Sequence, residues 1–549
     1  MSDFDFIVVG AGSAGAVVAA RLSEQSNRRV LLLEAGPRDA SWTIHMPAAA
    51  GYNITGRRYN WGFETVEQCR LNKRKIYQPR GKVLGGSSSI NTMAFKRGHP
   101  FDFDRWARDG APGWSHADVL PYHRRLEAFE GGADVYRGGD GPVRVMRFEV
   151  NNPLNAALLE AAEQAGYPIS DDLNGYKQEG FGLAQATIDN GVRASTAHAY
   201  LHAARNRSNI RIETNAHARR ILFDGHAAVG VEYSRGGKLR RARADHDVIL
   251  CGGAYGSPQL LMLSGVGPAD DLRSLDIPVV NDLPGVGRNL QDHIEALVHY
   301  EAPAEAAANR YLRPDRMVWA GMRWMLNRDG PAASTHHEIA AMIRSRAGVE
   351  HPDLCLHFWP FYIDENWMPS SRRHGFVLGA DHQRPASRGR IKLASNDPNA
   401  APLIDPNYLE ADRDRLDLIE SVKLMRELIR QPAFEGLVGR EVLPGKDVQT
   451  DADIDAFIRS HAVSAYHPAG TCKMGNDPMA VVDEALRVHG CLGLRVVDAS
   501  IMPTIVSGAL NSPTMMIGEK AADLILGRPP LPQSDAPVWV HPDWQTQQR

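Results

Sequence analysis

A histidine and a cysteine five positions apart, His467 and Cys472, stand in AYHPAGTCKMG (465–475), a stretch that also carries a proline and two glycines. Three uses suit such a pair: a metal site, a thiol nucleophile with its base, or a histidine that accepts a proton while its partner lies elsewhere. Metal-ligand spacing is missing, because no second histidine stands four positions on and no carboxylate lies between. A histidine has the pKa range to take a proton from a hydroxyl group.

The elements that must position these residues begin at the N-terminus. The apolar run FDFIVV (4–9) suits a buried parallel strand, and Gly10, Gly12 and Gly15 follow it as G-x-G-x-x-G. A helix-like AVVAARLSE and a second strand, RRVLLLE (28–34), come next, ending in Glu34, 19 positions past Gly15. Gly10 permits a tight turn, Gly12 lets the backbone approach a pyrophosphate at the helix N-terminus, and Gly15 allows close helix–strand packing. Glu34 is expected to accept hydrogen bonds from a ribose. The unit binds a dinucleotide without choosing between NAD and FAD.

Two more glycine blocks follow. In 81–91, GKVLGGSSSIN, paired glycines and three serines let the backbone press against a flat ligand. In 252–267, GGAYGSPQLLMLSGVG, a helix is expected from Pro258 behind a Ser257 cap, after the strand DVILC (247–251).

With these stretches the chain resembles the glucose-methanol-choline (GMC) oxidoreductase family, whose two signatures are matched by 81–98 and 253–267; the match runs from Phe4 to about Gly527. Within the family, RYNWGFET (58–65), DDLNGY (171–176), LPGVGRNLQDH (283–293), RVHG (487–490), LRVVDAS (494–500) and the tail APVWVHPDWQTQQR (536–549) are most similar to the bacterial choline-dehydrogenase branch. The resemblance implies FAD as cofactor and hydride transfer from an alcohol as chemistry. It makes His467 the base and Asn511, in ALNSPTMM, its partner, which leaves Cys472 a structural thiol. Cofactor contacts are implied for Gly10, Gly12, Ser13, Ala14, Gly15, Glu34 and Ala35. In the second block they fall to Gly81, Leu84, Gly86, Ser87, Asn91, Thr92, Met93 and Ala94, and later in the chain to Gly252, Asp498, Ala499, Asn511 and Thr514. Choline oxidases carry their flavin covalently on a histidine at the position of Asn91, so a dissociable, non-covalent FAD is expected here.

Choline needs an acid and aromatic faces for its quaternary ammonium. Glu338, Trp61, Trp359 and Tyr466 are the candidates. The segment Thr335 to Met342 departs from the choline-dehydrogenase pattern, with His337 in place of an aromatic and Ala340 and Ala341 in place of glycines. Another primary alcohol, aliphatic, aromatic or polyol, is therefore the alternative substrate, and an oxidase the alternative to a dehydrogenase. A lyase on the same scaffold is a remote third. The implied partners are the alcohol and an electron acceptor: a quinone, an artificial acceptor or oxygen.

Composition narrows the class. Sixty-two Lys and Arg against 65 Asp and Glu give a net charge of −3, which offers nothing to nucleic acid. Five scattered cysteines with no C-x-x-C pair fit a reducing compartment and neither a disulfide framework nor structural zinc. Asp3 and Asp5 precede the first apolar run, so it does not read as a signal peptide. No run long enough to span a membrane occurs. A cytoplasmic location is expected, with peripheral contact with the inner membrane left open. At 549 residues the chain should hold two domains in an α/β fold. A Rossmann-like FAD domain is expected at 1–160, 193–300 and 455–549. A substrate domain at 161–192 and 301–454 should be an antiparallel sheet with helices on one side.

Overall fold

The structure, a computed structural model, describes residues 3–363 and 368–549. β1 (Phe4–Val9) leads through the glycine turn into α1 (Ser13–Leu22) and back to β2 (Val30–Leu33), all four residues of which are buried. β3 (Ile210–Glu213) extends the parallel set beside β2. β4 (Ala216–Asp224) and β5 (Ala227–Arg235) form a hairpin that continues into β6 (Lys238–Leu250). The strand order is β3-β2-β1-β6-β5-β4, with the short strand Leu494–Val496 also on β6.

The polar stretch KLRRARA and the strand DVILC thus run together as one strand, β6. The polar half of β6, KLRRARA, pairs antiparallel with β5, and its apolar end pairs parallel with β1, buried on both faces as a central parallel strand must be. α2 (Gly253–Leu263) follows. It starts earlier than the Pro258 signal suggests, because its first amide, on Gly253, donates to the distant Asp498 carboxylate, and the Ser257 hydroxyl bonds that same carboxylate.

The second sheet is antiparallel. β7 (Ile294–Glu301), β8 (Ile339–Ile343), β9 (Leu354–Trp359) and β10 (Gly375–His382) run in the order β7-β10-β9-β8, flanked by Glu441–Leu443 and Gly180–Leu183. Between β7 and β8 lies the helix α3 (Pro314–Asn327). Strand alternation divides the sheet's faces. Ile294, Ala296 and Val298 join Leu354, Leu356, Phe358, Phe376, Leu378 and Ala380 in a core under α4 (Asp412–Ile429) and the helix Pro153–Gln164. The opposite face carries Glu295, Asp381, Cys355 and His357. β7 and the helix Pro153–Gln164, which the sequence division splits off, wholly or in part, from the substrate domain, belong to this sheet and its core. Gly389–Lys392 stands apart from it, pairing with Arg288–Leu290 and Leu403–Asp405 in a separate ribbon. Finally α5 (Asn511–Leu526) packs on α1, where the bare Cα of Gly518 lies against Ala14 and Val17.

Candidate active site

A cavity of about 1500 Å³ opens between the two sheets. At its first end the three glycine blocks touch. A Cβ on Gly10, whose φ is +101°, would lie 2.4 Å from the Cys251 carbonyl oxygen, and one on Gly86 would lie 2.6 Å from the Gly12 Cα. A Cβ on Gly81 would in turn strike the Gly86 backbone. Only backbone fits here, which is what lets the three separated segments close into one cradle. The N-terminus of α1 has no side-chain cap and no acidic residue in its first turn, so its amides are available to phosphate oxygens.

Glu34 lines this end and accepts from the amides of Ala11 (3.0 Å) and Gly36 (2.8 Å). Burial raises its pKa to about 7, and the two amides oppose the rise. Asp498, buried and likewise raised, faces the same space. Ser13, Ala14, Ala35, Gly81, Ser87, Asn91, Thr92, Ala94, Gly252, Ala499 and Thr514 all line the cavity as expected. Gly15, Leu84 and Met93 do not. Gly15 is the contact where α1 packs, a Cβ there falling 1.9 Å from the Gly10 carbonyl oxygen. Leu84 and Met93 are buried behind the wall. Asn91 Oδ1 accepts from Arg193 (2.7 Å), a buried guanidinium that also bonds the carbonyls of Ile44 and Ser88. Burial lowers the Arg193 pKa to about 9. A cradle of bare backbone, free helix amides and two buried carboxyls in a cavity of this size fits FAD.

His467 sits at the other end. Its backbone amide donates to Asp292 Oδ1 at 2.7 Å, and Asp292 Oδ2 accepts from Ser464 and Tyr408. Its ring Nδ1 is 3.0 Å from Nδ1 of His293, whose Nε2 is 3.2 Å from the Gln383 carbonyl oxygen. A carbonyl only accepts, so His293 carries its proton on Nε2 and accepts on Nδ1. His467 then carries its proton on Nδ1, and its Nε2 lone pair is free. Burial, with His293 beside it, holds the His467 pKa well below the usual range, so the ring is neutral.

Behind this pair lies Asp381, with Oδ2 3.7 Å from His293 Nδ1 and Oδ1 2.9 Å from His357 Nε2. Burial alone would neutralise His357, but the Cys355 sulfur and the Asp381 carboxylate hold it charged. Lys96 donates to Cys355 Sγ at 2.8 Å. The ligand-type atoms of His293, Asp381 and His467, and those of Cys355, His357 and Asp381, lie within 4.8 Å of one another. Lys96 and the histidine pair engage these atoms among themselves.

Glu338, expected at the substrate, does not line the cavity. Thr335, His336 and His337 line it just before the strand begins, but the Glu338 side chain is held elsewhere, where Oε2 accepts from Asn155 at 2.6 Å. The acid that faces the cavity is Glu295. It pairs across the sheet with Asp381, and its carboxyl lies over Gly379, where a Cβ would come within 2.1 Å of Oε1. Burial and the Asp381 charge raise its pKa to about 8, and His357 opposes them. Tyr466 and Trp359 line the cavity, Trp359 stacked on His337 and His357 at 5.5 and 5.8 Å. Trp61 lines it too, with the Lys82 ammonium 4.2 Å over its ring. Asn511 Oδ1 accepts from Ser13 at 2.7 Å, so its NH₂ is left to donate. Cys472 is buried with its thiol pushed well above the ordinary value by burial.

Sequence reasoning missed Asp292, His293, Glu295 and Asp381. Three of them stand together in QDHIEA, an acid, a histidine and an acid at a strand's start, which is a readable signal.

A dinucleotide cradle and, at the far end of the same cavity, a buried neutral histidine suit a flavin-dependent oxidoreductase that acts on alcohols. The chain belongs to the GMC oxidoreductases: the family's N-terminal model matches residues 4–295 and its C-terminal model 385–518. It is similar to the mitochondrial choline dehydrogenase of Mus musculus, with 49% identity over 99% of this chain and 93% of that protein. The oxygen-dependent choline dehydrogenase of Photobacterium profundum is 46% identical over 100% of this chain and 97% of its own. Among solved structures, pyridoxine 4-oxidase from Mesorbium loti superposes with a TM-score of 0.87 at 31% identity, covering 96% of this chain and 100% of that one.

Proposed function

We propose that the protein oxidises a primary alcohol bearing a cationic head group, choline first among them, with His467 as base, while Asn511, bonded to Ser13 at the cradle end, serves the cofactor. The observation that carries the cationic preference is Glu295, a buried carboxyl on the wall of the cavity that Tyr466 and Trp359 also line. FAD, held by the glycine cradle with Glu34 and Asp498, would supply the hydride-accepting chemistry. His467 Nε2 takes the hydroxyl proton, and the resulting imidazolium is balanced by Asp381 behind His293. The walls built by the second sheet keep water from the reacting atoms. Asn91 has no nucleophilic nitrogen to bond a flavin, which supports a dissociable cofactor. The acceptor that reoxidises the flavin is a quinone in this reading, and oxygen is the alternative that the name of the Photobacterium relative raises.

The Glu295 carboxyl is protonated below about pH 8 in the free enzyme and charged above it. KM for choline should therefore fall as pH rises through that value, while KM for a neutral alcohol of similar size stays level. In Glu295→Gln the pH dependence should vanish and, above pH 8 where the wild-type carboxyl is charged, choline KM should rise about a hundredfold, the cost of leaving a buried cation unpaired. Choline and neutral alcohols losing equally in that variant would defeat the cationic assignment, and failure of every alcohol to bleach the flavin without oxygen would defeat the reaction itself.

A further inference from the structure

α3 buries only Ala320 and Trp324 against the protein. Met317, Val318, Trp319, Met322, Met325 and Leu326 are exposed, Leu326 by 82%. Among the described residues these are six of the seventeen large apolar side chains left in solvent, all within one 14-residue helix. Two more, Trp42 and Tyr52, lie on the rim of the same cavity that Met317, Val318 and Met325 line. The exposed apolar surface is thus concentrated at the cavity mouth, where a buried core has no use for it.

Charge follows the same pattern. Residues 310–329 hold five arginines against two aspartates, a local +3 on a chain whose net charge is −3. Arg313 and Arg323 are paired to Asp315 and Asp329, and the Arg328 guanidinium lies 4.2 Å over the Trp324 ring. A helix with methionine, leucine and tryptophan outward and arginines around them has the composition of one that lies in a membrane interface.

We propose that α3 docks the protein on an anionic lipid bilayer, with the cavity mouth turned toward the membrane. A second copy of the chain is a poorer occupant, because a two-fold contact through this helix would set +3 against +3. The consequence for turnover rests on the alcohol-oxidation reading: a lipid-soluble acceptor would meet the mouth without crossing water. Docking itself does not depend on that reading.

The FAD-loaded protein, spun down with phosphatidylglycerol-containing vesicles, should sediment with them. It should bind at least tenfold less to pure phosphatidylcholine and be released by about 0.5 M salt, where charges are screened within a few ångströms. Met322→Asp/Leu326→Asp, two residues outside the cavity wall, should lose vesicle binding while keeping its bound FAD and its choline turnover with a soluble dye. Wild-type protein that stays in the supernatant with anionic vesicles overturns the proposal. So does a double variant that binds as well as wild type, or one whose effect is to turn a dimer into a monomer in sedimentation velocity. Loss of dye-linked turnover in the wild type would instead count against the reaction.

Discussion

The free lone pair on His467 Nε2 traces back to a backbone carbonyl, that of Gln383, which fixes the proton on His293 and through it the tautomer of the base. Asp381 enters this chain from behind. It raises the basicity of His467 and holds His357 charged, so one carboxylate serves both histidines. In Asp381→Asn the base should weaken. The acid limb of the kcat/KM profile should then move to lower pH, with the maximum down about tenfold or more. An unmoved limb would reduce Asp381 to a packing residue. His467 and Asn511 draw attention in the sequence because AYHPAGTCKMG and ALNSPTMM are local motifs. Asp381 does not, since its function arises only where β7, β9 and β10 bring four separated residues together.

Elements decide which of two acids reaches the cavity. Glu338 and Glu295 are both carboxyls in or beside strands of one sheet, and what separates them is where each side chain is held, Glu295 on the cavity wall and Glu338 on Asn155. β7 alternates Glu295, Leu297 and His299 away from the helical core. Gly379 on the neighbouring strand completes the arrangement by leaving room for the Glu295 carboxyl. A methyl group there must push it aside. Gly379→Ala is expected to raise choline KM at least tenfold, about 1.4 kcal/mol of binding, with FAD content unchanged. Unaltered KM with full FAD would show that the carboxyl does not need that space. The sequence pattern places β1, α1 and β2 close to their observed bounds because each follows a single period. β6 and α2 escaped it for different reasons. β6 changes neighbours halfway along, and α2 takes its first amide's partner from Asp498, 245 residues on.

Over the whole molecule, the cradle is assembled from segments near residues 10, 86, 252, 498 and 511, which meet only in the folded chain. FAD bound there would bridge them all, whereas the unfolded chain offers no such site, so the cofactor adds stability by mass action. Free FAD at a hundred times its dissociation constant should contribute about 2.7 kcal/mol. For a chain of 549 residues that is an increase of a few degrees in Tm over the apoprotein. The experiment begins with removal. Acid precipitation of the yellow protein should leave the colour in the supernatant, because Asn91 cannot hold the flavin covalently. The refolded, colourless protein should then regain both its Tm and its alcohol-bleachable spectrum on titration with FAD. Yellow colour retained in the pellet would contradict the dissociable cofactor. A Tm indifferent to FAD would mean that the glycine contacts, with Gly86 against Gly12 at their centre, close the cradle without it.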